Sequence, residues 1–545
     1  MYDLFRESIL GQITHAVSKG KLCTTAEQRD PSLLQKYAKQ GSASASGISI
    51  PATTDAVESD TSDAPQGTKA DPEKGRDFQL VEWMEGDPEY PRNWSTGKKS
   101  FVTFQICLLS TSVYIGSAIY TAGIQGVAEQ FHVSEVAALL GLTTFIMGYA
   151  VGPMVLSPLS EVSFFGRNPI YIGTLLIFVV LQLGVIYAKN FGMLLVFRFF
   201  SGFFGSPALA TGGATIADMY TPKKQAYGIA VWDVSTVCGP ALGPLVGGFA
   251  AENKGWTWTI WELMWLSGFS LVFLAFCLPE TSSRNILYRR TKRYRRVTKN
   301  SNLQCRPEIE AEGLTSHEIL QMTLVRPITL SFTEPIVFCL NLYAALIYAL
   351  LYLWFESFPI VFGGIYHFTL GAQGLAFLGI LIGSISAMFP FFWWNHKYLE
   401  PHFNENDEIK PEYRLAPALV GAFFIPICLF WFGWSARPSI HWIMPIIGSS
   451  FFSIGAFLLY ISVLNYLGDA YPKYVASVLA GNDLVRSVFG AAFPLFGNAM
   501  YGRLGVAWAS SLLGFLAIAF IPIPFVLNRY GEALRRRSKM ARHDL

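Results

Sequence analysis

Residues 238–248 read Cys-Gly-Pro-Ala-Leu-Gly-Pro-Leu-Val-Gly-Gly. Gly239, Gly243 and Gly247 recur every four residues, and Ser235 extends the series backwards. On a helix that spacing sets small residues in a stripe along one face, and such a stripe lets a neighbouring backbone approach closely. Pro240 and Pro244 each remove a backbone hydrogen bond and bend the same helix. A bent helix with a bare seam is built for close packing.

The run lies in an apolar stretch, and that stretch is one of twelve. A bilayer core about 30 Å thick needs about 20 mostly apolar residues per helix. Such stretches lie near 101–122, 136–158, 168–188, 191–215, 225–250 and 258–279. After a polar run, 280–333, they resume near 334–358, 371–394, 415–435, 440–466, 474–499 and 506–528. The expectation is an all-α membrane protein of twelve transmembrane helices in two six-helix halves. Its predicted parts are a cytosolic, mostly disordered N-terminal tail (1–99), a bundle (100–279), a basic cytosolic loop (280–333), a second bundle (334–528) and a basic cytosolic tail (529–545).

Composition agrees. The 545 residues are 52% apolar and 14% charged, against about 25% charged in an ordinary soluble domain. A soluble enzyme, a disulfide scaffold and a disordered chain all fit poorly. A net charge of +3 is too small to point to nucleic acid. The seven cysteines include no C-x-x-C, and no H-E-x-x-H or phosphate-binding glycine loop occurs. No metal or cofactor is expected. Residues 1–21 read as a short amphipathic surface helix, not a secretory signal. The stretch containing SASASG (42–47) is too polar to offset its ordering entropy.

Loop charge predicts orientation. With the N-terminus inside, twenty-three Lys and Arg fall in inner loops and the C-terminal tail, and four in outer loops. The positive-inside rule places both ends in the cytosol. The basic run Tyr288–Arg296 reads as an anchor against anionic lipid.

Ionisable residues inside apolar spans are costly and mark pathways or partners. Arg198 lies roughly 10 Å into span four, seven residues past Phe191. Asp218 closes that span about 30 Å away, too far to pair with Arg198 and better placed for Arg167. Asp233 sits about two turns into span five without a local base, so it is the candidate proton carrier. Glu262 and Glu356 lie near outer ends. Asn482 and Asp483 stand at i−4 and i−3 from Arg486, close enough to satisfy it. Glu161, Gly166 and Arg167 place an acid, a turn and a base after span two, where they can latch a gate. Aromatics make up 15% of the chain. Tyr343, Tyr348, Tyr352, Trp354, Phe355, Phe391, Phe392, Trp393 and Trp394 read mostly as lipid-contacting or interface-belt residues, with some left to line a cavity.

At these residues the chain resembles the fungal major facilitator transporters of the twelve-span drug:proton antiporter family, of the benomyl/methotrexate-resistance type. The likeness runs nearly end to end, through RESILGQITHAVSK, VEWMEGDPEYPRNWSTGKK, TSVYIGSAIYTAGI, ALATGGATIAD, LPETSSRNILYRRTKR and GNDLVRSVFGAAFPLFG. It implies the major facilitator fold, proton-driven efflux and a plasma-membrane address. It implies a role for Arg198 in proton coupling and for Glu161, Gly166 and Arg167 in inner gating. Gly239, Pro240, Gly243, Pro244, Gly247 and Gly248 match its antiporter motif. Four residues separate Glu161 from Gly166 where the family has two, and Trp256-Thr257-Trp258 lacks the family's central Arg. Asp233 has no counterpart in the family pattern and rests on position alone.

The expected function is efflux of hydrophobic toxicants such as antifungal drugs by alternating access. The expected partners are those solutes, protons and the bilayer, and the chain is expected to act as a monomer. Proton-symport nutrient uptake and a non-transporting membrane sensor are the alternatives.

Overall fold

The computed structural model describes residues 2–18, 21, 22, 24, 79–312, 318, 321–405 and 407–544. The SASASG stretch lies outside them.

The first half comprises α1 (Thr96–Ala118), α2 (Leu140–Glu161), α3 (Asn168–Ile186), α4 (Phe191–Ala210), α5 (Pro222–Lys254) and α6 (Thr257–Cys277). The second comprises α7 (Pro335–Phe358), α8 (Leu378–Trp394), α9 (Ala416–Ser435) and α10 (Ile443–Ala470), followed by two more spans. α11 begins as Val475–Ala492 and continues through 494–504, and α12 runs from 506 into Pro522–Arg537.

Gly505 makes the turn between the last two, at φ 73° and ψ 160°, a conformation that favours glycine. Chain reversal there is visible in the packing. Gly497, before it, faces Leu353 and Glu356 of α7. Beyond it, Ser511 accepts from Trp434 Nε1 at 3.0 Å and Phe525 packs on Phe423, so α12 runs antiparallel to α9.

Among the described residues, eleven helical stretches are long and apolar enough to cross a membrane. The span outside that set is Val475–Ala492, whose Asn482, Asp483 and Arg486 lower its apolar character. With twelve crossings both chain ends lie on one face, the terminal face, opposite the far face.

One continuous apolar core joins the halves. Tyr343, Tyr348, Tyr352, Trp354 and Phe355 are all buried in it. Here the structure departs from the lipid-facing reading. From Leu340 to Phe358 α7 is buried almost throughout, and Trp354 packs on Phe452 with ring centroids 4.6 Å apart.

The expectation of a flexible tail fails for residues 79–95, whereas the segment read as a short surface helix is helical. The helices Tyr2–Glu7 and Ile9–Val17 dock on α6, with Phe5 stacked on Phe276, and Lys98 reaches Glu7 at 2.5 Å. Strand β1 (Gln79–Val81) pairs in parallel with β2 (Leu303–Cys305) of the central loop. Beside it the buried Arg290, on the loop helix Ser283–Thr298, donates to Asp87 at 3.0 Å and Glu89 at 2.8 Å. Burial pushes the Asp87 carboxyl up, but Arg290 outweighs it and holds Asp87 below the usual carboxylate range. Composition alone missed this because the anchoring contacts span about two hundred positions.

Candidate functional site

At the seam between the halves lies a cavity of about 40 Å³. Its lining includes Tyr114 of α1, Asp233 and Pro240 of α5, Tyr348 of α7, Tyr460 of α10 and Arg486 of α11. It has room for a few water molecules and is far smaller than the roughly 300–1,000 Å³ of a drug-sized pocket. The cavity as it stands is too small to hold a drug-sized solute.

Contacts on both faces close it. Toward the far face, α5 meets Leu370–Ala376, the short helix before α8. A Cβ on Gly248 would stand 2.5 Å from the Leu370 carbonyl oxygen, and one on Gly374 would stand 2.4 Å from that of Pro244. The Gly371 N–H donates to Glu252 at 2.8 Å. Toward the terminal face, Lys224 and Tyr227 of α5 both reach Glu400, each at 2.7 Å.

Gly239, Gly243 and Gly247 present the rest of the stripe to α1. Cβ atoms there would fall 2.4 Å from Tyr114 Cβ, 2.7 Å from Ala118 Cβ and 2.7 Å from the Ile119 carbonyl oxygen. One helix thus packs bare against its own half and, one residue further, against the other half. Pro240 faces the cavity.

Asp233 is buried, and among the described residues its Oδ2 has no hydrogen-bond partner. Arg486 shares the cavity. Its Nε donates to Asp483 Oδ1 at 2.7 Å and its Nη2 to the Tyr114 hydroxyl at 3.3 Å. The guanidinium lies 5.0 Å from the centre of the Tyr348 ring, a cation–π distance. Tyr149 is 2.6 Å from the Tyr348 hydroxyl and 3.0 Å from that of Tyr352. Tyr352 in turn donates to Ser117 at 2.9 Å. Tyrosine hydroxyls therefore tie the two halves together around the arginine.

Arg198 is fully buried but does not line the cavity. It donates to the carbonyls of Gly141 at 3.0 Å and Gly116 at 2.8 Å, and its guanidinium lies between the rings of Tyr120 and Phe145. Its Nη2 has no partner among the described residues. Gly116 adjoins Ser117, so one turn of α1 joins Arg198 to the tyrosine cluster.

Other candidates stand apart. Asn482 donates to Asn341 at 2.9 Å, not to Arg486. Glu262 and Glu356 are half-buried on α6 and α7 and do not line the cavity.

On the terminal face, Arg167 Nε donates to Asp218 Oδ2 at 2.6 Å, while Glu161 is exposed. Gly166 turns at φ 78°, and a Cβ there would meet Glu280 Oε2 at 2.6 Å. Glu280, unmarked by the sequence reading, accepts from the backbone N–H groups of Arg167, Asn168, Thr281 and Ser282. Its signal was an acid directly after the Leu-Pro that ends span six. Tyr114, Tyr149 and Tyr460 were also missed, because a tyrosine inside an apolar run reads as bulk.

A family model described as Major Facilitator Superfamily matches residues 106–494. The chain is 47% identical over 469 residues to Transporter mfs1 of Schizosaccharomyces pombe, covering 85% of this chain and 88% of that one. It is 43% identical over 472 residues to Fluconazole resistance protein 1 of Saccharomyces cerevisiae, covering 86% and 85%. With Multidrug transporter FLR2 of Candida glabrata it shares 42% over 494 residues, covering 90% and 82%. A solved structure of the proton:xylose symporter XylE superimposes with TM-score 0.57 at 15% identity, covering 80% of this chain and 96% of that one. That likeness shows the fold.

Proposed function

The chain belongs to the major facilitator superfamily, and we propose that it exports hydrophobic, drug-like molecules in exchange for protons. The observation that carries the reading is the seam cavity, where the unpartnered carboxyl of Asp233 faces aromatic walls and an arginine already held by Asp483. Relatives named for multidrug transport and fluconazole resistance support the substrate class.

The cycle follows from two states. With the far face open, a proton neutralises Asp233. With the terminal face open, a hydrophobic solute enters between the halves and the proton leaves. Export results because each ligand prefers a different state. Apolar and aromatic walls with few fixed polar groups accept loosely specified solutes. Gly239, Gly243, Gly247 and Gly248 let α5 slide against α1 and the short helix before α8. Arg167 with Asp218, and Lys224 with Glu400, are the latches of the terminal face. Arg198 holds α1 to α2 and carries the proton-linked movement to the tyrosine cluster.

The loop charges support a cytosolic terminal face and a plasma-membrane address suits a drug exporter. The test is loss of a preloaded dye from cells with and without the protein. Collapsing the proton gradient is expected to abolish the difference, and efflux that persists contradicts coupling.

A further inference from the structure

On the terminal face a groove of about 640 Å³ runs between the helix Arg326–Thr333 and the end of the helix Pro522–Arg537. Its wall is apolar, with Leu330, Ile336 and Leu534, and three cations stand on its rim: Arg326, Arg537 and Lys539.

The helix Arg326–Thr333 fixes the depth of the groove. Pro327, Leu330 and Ser331 are buried, with Ser331 Oγ at 3.0 Å from Asn341 of α7. Val325, Ile328 and Phe332 are exposed at i, i+3 and i+7. They share one outward face. Phe332 packs on Phe338, itself exposed in the first turn of α7, so this face continues the lipid-facing surface. In a membrane-spanning chain, such a face lies in the layer between headgroups and acyl chains.

The rim carries uncompensated charge. Among the described residues, no carboxylate lies within ion-pair distance of Arg326, Arg537 or Lys539. Their neighbours are paired: Arg535 with Glu412 and Arg536 with Glu532. The one acid in the groove wall, Glu334, accepts from the Tyr471 hydroxyl at 3.1 Å. Three cations over an apolar wall at headgroup depth complement a ligand with an anionic head and an apolar tail.

We propose that the groove binds an anionic glycerophospholipid of the adjoining leaflet. The phosphate faces Arg326, Arg537 and Lys539, and an acyl chain lies along Leu330, Ile336 and Leu534. This rests on the membrane-spanning fold and is independent of what the protein exports.

The full chain is reconstituted in phosphatidylcholine nanodiscs doped with phosphatidylserine, and the lipid retained after detergent extraction is counted by native mass spectrometry. R326Q/R537Q/K539Q is expected to lower retained phosphatidylserine about tenfold or more. K292Q/R296Q/K299Q, which removes equal charge from the central-loop helix, is expected to leave it unchanged. Thr329→Trp, which fills the groove and keeps every charge, is expected to lower it as the first variant does. Equal loss from the central-loop variant makes the effect one of general surface charge and overturns the proposal. Retention of phosphatidylcholine at the same level overturns the charge selection, and displacement by inorganic phosphate alone overturns the role of the acyl chain.

Discussion

Arg486 of α11 donates to the hydroxyl of Tyr114 on α1 at 3.3 Å, across the seam between the halves. The same guanidinium is held by Asp483 one turn away and lies against the Tyr348 ring. One cation thus joins both halves beside Asp233, the only carboxyl in the cavity lining among the described residues.

Arg486→Gln strands Asp483, and breaking a buried pair costs about 3–5 kcal/mol. Thermal unfolding in detergent is expected to show that loss. The double variant D483N/R486Q is expected to recover most of the stability while dye efflux stays lost, because the arginine beside Asp233 is still missing.

Arg198→Ala removes the donor that the carbonyls of Gly116 and Gly141 share, although Gly141 still accepts from the Thr144 hydroxyl at 3.4 Å, and each lost bond to a charged donor is worth about 1.5–3 kcal/mol. Normal surface expression with lost dye efflux is expected. Arg198→Lys keeps the charge but not the planar fork that spans both carbonyls, and it is expected to restore only a minor part.

Gly248→Ala sets a Cβ against the Leu370 carbonyl, where backbone must yield. Overpacking of this kind costs about 1–3 kcal/mol, and only the closed far face pays it. The open form is expected to gain roughly 5–150-fold. Labelling of a cysteine at Ala456, in a chain otherwise free of cysteine, by an impermeant reagent from the far side reads the gain.

Asp218→Asn removes the partner that Arg167 holds at 2.6 Å, whereas Glu161 is exposed. Asp218→Asn is expected to cut efflux severely and Glu161→Gln to change it by less than about twofold, consistent with the small worth of exposed charge pairs. Comparable losses in the two variants would contradict this latch geometry.

The spans were legible because each is a long apolar run. Even the polar α11 could be found between the turn signals around it. Helix arithmetic alone separated Arg198 from Asp218 and favoured Arg167 as the partner. The contacts across the seam could not be read. Tyr149 and Tyr348 are 199 positions apart, and nothing local tells a buried tyrosine from one at the membrane interface. For the same reason the aromatics of α7 read mostly as lipid-facing. Spacing alone places Asn482 beside Arg486, but Asn482 donates to Asn341 on α7 instead. The folded residues 79–95 were hidden because a three-residue strand and one buried arginine, not an apolar run, hold them.

The most direct test uses proteoliposomes carrying the wild-type chain or Asp233→Asn, with substrate and pH indicators inside and out. The account predicts that the wild type moves substrate uphill when a pH difference is imposed, with protons flowing the opposite way. It predicts that Asp233→Asn still exchanges labelled for unlabelled substrate but neither concentrates it nor moves protons. Uphill transport by Asp233→Asn, or wild-type transport indifferent to the pH difference, would contradict it.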